Sequence, residues 1–199
     1  MSRRRTCNSE ECLQMLANEL TRANTHFYFR EKLLADYQQL GVPSDFWDYT
    51  LAAHSSIALL NLCRVYDFHR DGINLFNCLE SIGKGALDQA KRNQLGDYVG
   101  LCGPKSQNPL VQSLRTWRNN IIAHYNIKVA LDRAGFDKHN PDEPEEMLRN
   151  IIPSGFKILE WCSGLHGKAT IYARFAPGKE SYKSVLECLR KGVRKGVKP

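Results

Sequence analysis

The stretch NPLVQSLRTWRNNIIAHYN, Asn108 to Asn126, decides how this chain is read. Asn108 is a good N-cap and Pro109 suits the first helical position, so a helix opens here and its pattern runs to about Leu131. Leu110, Leu114, Trp117 and Ile121 recur at i, i+4, i+7 and i+11, and His124 continues the same apolar stripe at i+14. Arg118 stands six residues before His124, about 120° round a helix that turns about 100° per residue. The two side chains therefore do not share a narrow face. They meet in one cleft only if the arginine snorkels or if a second copy of the helix lies alongside. Ala123, small and next to the histidine, admits such a close approach.

On either side of this segment the pattern is helical. Leu13, Leu16, Leu20, Phe27, Leu33, Leu34, Tyr37 and Leu40 mark one long helix from Ser9 to Leu40, with Gly41-Val42-Pro43 as its stop. Ser44 caps a second helix, favoured by Asp45 and Asp48 in its first turn, and its apolar residues cover so much of the circumference that it should lie buried between others. A short helix follows from Asn74 to Ile82. The glycines and proline of residues 83–108 predict a long, partly irregular connection with at most a short helix around Leu87 to Leu95. After a polar loop (Asp132 to Asp142), Pro144 and Glu145-Glu146 start another helix, which Pro153 should interrupt and Ser154 restart through Leu165. Residues 169–176, ATIYARFA, alone look strand-like, and Tyr182, Val185, Leu186, Leu189 and Val193 form a last amphipathic helix. With no repeat or hairpin signature, the expected architecture is all-α, a helical bundle.

A chain of 199 residues can bury a core without covalent staples. Its seven cysteines are odd in number and contain no CxxC pair, so reduced thiols are expected and neither a disulfide framework nor a zinc site. No apolar run approaches a membrane span and no apolar segment follows the basic N-terminus, which reads as a soluble, unsecreted, cytoplasmic protein. The net charge of +7 is concentrated at the two ends. Arg3, Arg4, Arg5, Arg190, Lys191, Arg194, Lys195 and Lys198 are eight of the 28 basic residues, and the remaining 20 face 21 acidic ones. Such arms attract phosphates or simply aid solubility. The GKG of residues 83–85 lacks the earlier glycine and the following Ser or Thr of a phosphate loop, since Cys78 and Gly85 hold those positions. His26, His54, His69, His139 and His166 show no metal-binding spacing, and no GxSxG or reactive-cysteine signature occurs. No cofactor and no metal are indicated.

Arg118, Asn119 and His124, with five residues between arginine and histidine, resemble the signature of the HEPN superfamily, in which a polar residue usually follows the arginine. The similarity extends to an Abi-U-type, abortive-infection branch through THFYFREKL in the first helix, ALLNLCRVYD in the second, LRTWRNNIIAHYN, and the later GFKILEWCSGL, together about residues 10–170. The resemblance implies a HEPN-like helical bundle over residues 9–189, flanked by a basic arm at 1–8 and a basic tail at 190–199, with the last amphipathic helix as an addition. One family feature is not reproduced. Some HEPN toxins carry a tyrosine two residues after the histidine that an antitoxin modifies, whereas here Tyr125 follows His124 directly and Asn126 takes that place.

The resemblance further implies a metal-independent endoribonuclease toxin acting as a homodimer on RNA and not DNA, with an antitoxin protein as a second partner. The residue chemistry is compatible with that. His124 titrates near neutral pH and can move the protons of 2′-OH attack, while Arg118 can hold the phosphate and stabilise its developing charge. Asn119 can orient the arginine or donate to the phosphate. Asp67 can pair with Arg64 or Arg118, a purely structural ion pair being the simpler role. Two other readings stay open: a non-catalytic nucleotide- or RNA-binding module, and a helical interaction module of a defence complex.

Overall fold

The computed structural model describes residues 9–40, 45–69, 71–119 and 144–166. Six α-helices account for most of them, and no strand occurs among them. We label these α1 (Ser9–Leu40), α2 (Asp45–Tyr66), α3 (Leu75–Ile82), α4 (Gln89–Cys102), α5 (Pro109–Trp117) and α6 (Pro144–Leu165). The expected strand-like segment, the last amphipathic helix and both basic ends lie outside the described residues.

Helices α1 and α2 form a long antiparallel pair, and α6 packs against both. Leu13, Leu16, Leu20, Leu59, Leu62, Leu148, Ile158 and Leu159 are almost fully buried there. Removing this apolar surface from water is the main stabilising term, at about 25 cal/mol per Å2 buried. The smaller helices α3, α4 and α5 close the core with Leu75, Leu79, Cys102, Val111, Leu114 and Trp117. A second, separate cluster of Leu33 and Leu51, with Leu34, Tyr37 and Trp47, binds the distal part of the α1–α2 pair.

Burial of α2 is one-ended, contrary to the expectation of a helix enclosed along its length. Ala58 to Tyr66 supply most of its buried residues, whereas Phe46 and Tyr49 are 66% and 77% exposed. The apolar circumference did not distinguish the end facing the core from the end that extends beyond it.

Two expected breaks are absent. Helix α4 runs for 14 residues through Gly96 and Gly100, beyond the short helix expected near Leu87 to Leu95. Its N-terminus is satisfied by Asp88, whose carboxylate accepts from the Lys91 amide at 2.8 Å. Leu95, Tyr98 and Val99 pack on the core, offsetting the penalty of about 1 kcal/mol per helical glycine. The helix ends at Gly103, where a Cβ would lie 2.6 Å from the Val99 carbonyl oxygen.

Helix α6 is likewise continuous through Pro153. Proline removes one amide donor, but neighbouring carbonyls gain side-chain donors. The Ser154 hydroxyl donates to Asn150 O at 3.0 Å, and the buried Tyr66 hydroxyl donates to Ile151 O at 3.0 Å. Gly155 then lets α6 close on α1, since a Cβ there would come within 2.8 Å of Leu20.

Polar contacts fix how the helices meet. Arg30 of α1, only 9% exposed, donates to Glu31 and to Glu145 in the first turn of α6, and Arg149 reaches Glu31 at 2.8 Å. His26 and His54 join α1 to α2 through their Nδ1 atoms at 2.9 Å. Their ring centroids are 5.1 Å apart, and Phe29 lies 5.8 Å from His54. One Nδ1 must carry the hydrogen and the other must be bare, so at least the accepting ring is neutral and the contact cannot form with both rings protonated.

Burial lowers the pKa of both histidines, and for His54 the proximity of His26 adds to the effect. The unfolded chain therefore binds more protons near and below the ordinary value of 6.5, and stability should fall as pH drops through that value. Melting temperatures measured at pH 7.5 and 5.5 should show this drop, and replacing both histidines with phenylalanine should flatten it. An unchanged slope in the double variant would refute the assignment.

Candidate active site

The site is built where the ends of α2, α4 and α5 converge. Helix α5 begins as its sequence implies, with the Asn108 side chain accepting from the Leu110 and Val111 amides at 3.0 and 3.1 Å and Pro109 in the first turn. Val111, Leu114 and Trp117 face the core, which turns Arg115 and Arg118 towards its edge. At Arg118 and Asn119 the backbone adopts a wider π-type turn, a local geometry frequent at functional sites.

Asp67 follows α2 directly. Its Oδ1 accepts from the backbone amides of Phe68 and His69 at 2.8 and 3.3 Å. Its Oδ2 accepts the Arg118 guanidinium, with Nη2 at 3.0 Å. Arg118 Nη1 also donates to the Asn119 amide oxygen at 3.2 Å. Of the two arginines considered for Asp67, Arg118 is thus the partner, while Arg64 pairs with Glu19 at 3.1 Å. The Arg118 side chain remains 34% exposed, against 19% for Asp67, so solvent and solutes still reach it. A pair this exposed contributes about 0–1 kcal/mol to stability, and its effect is chiefly to aim the guanidinium. His124, Tyr125 and Asn126 lie outside the described residues. The structure therefore brings Arg118, Asn119 and Asp67 together and does not locate the histidine relative to them.

Sequence reading passed over Arg115, one turn before Arg118. Its Nη1 donates to Gly103 O at 2.8 Å and its Nη2 to Cys102 O at 2.5 Å, while Nε and Nη2 face Tyr66 O at 3.4 and 3.3 Å. Its guanidinium carbon also lies 4.7 Å from the centre of the Phe68 ring. One side chain thereby satisfies carbonyls at the ends of α2 and α4, which no intrahelical amide can reach. The i, i+3 spacing of Arg115 and Arg118 was a visible signal, but the carbonyls it serves are remote in sequence.

Among the described residues, the buried cysteines nearest the site are held as thiols. Burial pushes the Cys63 thiol up to about 12 despite the opposing charge of Arg118, and Cys102 likewise to about 12. The Cys162 thiol is pushed up by its hydrogen bond with Cys78 and by burial. Cys63, Cys78, Cys102 and Cys162 are free thiols, as expected, but Cys12 is disulfide-bonded, which corrects the expectation of reduced cysteines throughout. Among the described residues no group of three or more His, Cys, Asp or Glu is placed to hold a metal ion, and no helix is long and apolar enough to cross a membrane.

Comparison with known proteins gives this arrangement its class. Residues 9–161 match the HEPN family described as AbiU2, in keeping with the helical bundle of the described residues. The chain belongs to that AbiU2 family, of abortive-infection HEPN domains. No curated protein and no solved structure matches it.

The clamp formed by Arg115 can be tested by itself. Arg115→Met should lower the free energy of unfolding in urea by about 1–3 kcal/mol, because carbonyls at two helix ends lose charged donors. A loss below about 0.5 kcal/mol would show that water replaces the guanidinium at no cost.

Proposed function

We propose that this protein is a metal-independent endoribonuclease toxin of the abortive-infection type, with Arg118 and His124 as its catalytic residues. The observation that carries the proposal is the Arg118 guanidinium, held by Asp67 at 3.0 Å yet a third exposed, six residues before His124 in the sequence. Membership of the AbiU2 family of HEPN domains supports it.

The reaction needs little else. A histidine accepts the proton of an RNA 2′-OH as that oxygen attacks phosphorus, and the bond to the 5′-oxygen breaks as it receives a proton. The products are a 2′,3′-cyclic phosphate and a 5′-hydroxyl end. Arg118 binds the phosphate oxygens and stabilises the charge they gain in the transition state. Asp67 and Asn119 keep the guanidinium oriented, so less freedom is lost on binding. The proposal places the site between two copies of the chain, with groups from both facing one cleft, as the resemblance to dimeric HEPN ribonucleases implies. The proposal includes an antitoxin protein as a further partner.

The purified protein should cleave RNA but not DNA, leave cyclic phosphate ends, and keep its activity in EDTA. His124→Ala should reduce the cleavage rate by about 100-fold or more while leaving dimerisation intact. DNA cleavage, loss of activity on chelation, or full activity in His124→Ala would each overturn the mechanism. Growth arrest that survives His124→Ala would favour a non-catalytic binding module.

A further inference from the structure

Phe68 is an apolar ring left 40% exposed directly beside the candidate site. Its backbone amide donates to Asp67, the same carboxylate that holds Arg118. One side of the ring is occupied by the Arg115 guanidinium, 4.7 Å from the centroid. Arg115 is in turn fixed by carbonyls of α2 and of the α4 terminus. The segment that follows is also tied down. The side-chain amide of Asn77 donates to His69 O at 2.9 Å and Gly72 O at 2.7 Å, and that of Asn74 to the same two carbonyls at 3.0 and 3.3 Å.

A mobile aromatic side chain on a loose loop would be an ordinary surface feature. Here the ring is backed by a cation, anchored at both flanks and adjacent to an arginine that can bind phosphate. Aromatic faces of this kind stack unpaired bases with little dependence on sequence, because every base offers a π-face. Bases paired in an A-form helix are already stacked and do not present that face.

We propose that Phe68 is a stacking platform for an unpaired nucleobase, next to the phosphate position at Arg118. The proposal rests on the ribonuclease reading for the role of Arg118, but the stacking itself can be measured without cleavage.

The test uses the full chain carrying His124→Ala, to prevent turnover, and a labelled single-stranded RNA oligonucleotide beside its duplex. Phe68→Leu should weaken single-strand binding roughly tenfold and leave duplex binding unchanged. Phe68→Trp should preserve binding, and its indole fluorescence should be quenched as the single strand is added, which supplies a second readout if the leucine variant folds poorly. Unaltered single-strand affinity in folded Phe68→Leu, or no quenching in Phe68→Trp, would overturn the proposal. The two readings fail separately. Phe68-dependent binding with no cleavage by the unmodified protein keeps the platform and removes the ribonuclease, whereas cleavage whose KM is the same in Phe68→Leu keeps the ribonuclease and removes the platform.

Discussion

The carboxylate of Asp67 ties the end of α2 to the motif helix through Arg118, and the candidate site takes its shape from that joint. One oxygen turns the backbone after α2 by accepting from Phe68 and His69, and the other aims the guanidinium. Arg115, a turn earlier on α5, holds the same helix end from the other side by its contacts with Tyr66, Cys102 and Gly103. Two arginines on one helix thus divide the work. Arg115 fixes the scaffold, and Arg118, a third exposed, is open to solutes.

This joint can be spared from stabilising the fold because the core does that elsewhere. The α1, α2 and α6 layer buries a continuous set of leucines and isoleucines, and Gly155 allows α6 to approach Leu20 closely. Tyr66 links the two regions. Its ring is buried in the core, its hydroxyl supports α6 beyond Pro153, and its carbonyl faces Arg115. The Arg118–Asp67 pair, with the guanidinium a third exposed, contributes little stability and leaves that group open to solutes.

Much of this was legible in the sequence, and the exceptions have physical causes. Helices α1 and α3 and the start of α5 coincide with their periodicity and caps, because Asn74, Gly83 and Asn108 are local signals whose bonds form within a few residues. Gly96, Gly100 and Pro153 misled, since their penalties are local while the packing and side-chain donors that offset them are tertiary. The pairing of His26 with His54, 28 positions apart, arises only once α1 and α2 lie side by side. For the site, the sequence supplied Arg118, Asn119 and Asp67 but left the choice between Arg64 and Arg118 open, and it passed over Arg115 and Phe68. Each of those choices is decided by where α2 and α4 end in space.

In the proposed mechanism Arg118 and His124 act together across two chains. It is tested most directly by mixing two inactive proteins, Arg118→Ala and His124→Ala, after partial unfolding and refolding to exchange subunits. The mixture should recover RNA cleavage that neither variant shows alone, because a mixed dimer carries one intact arginine and one intact histidine facing the same cleft. Mixed dimers that form and remain inactive would contradict the account.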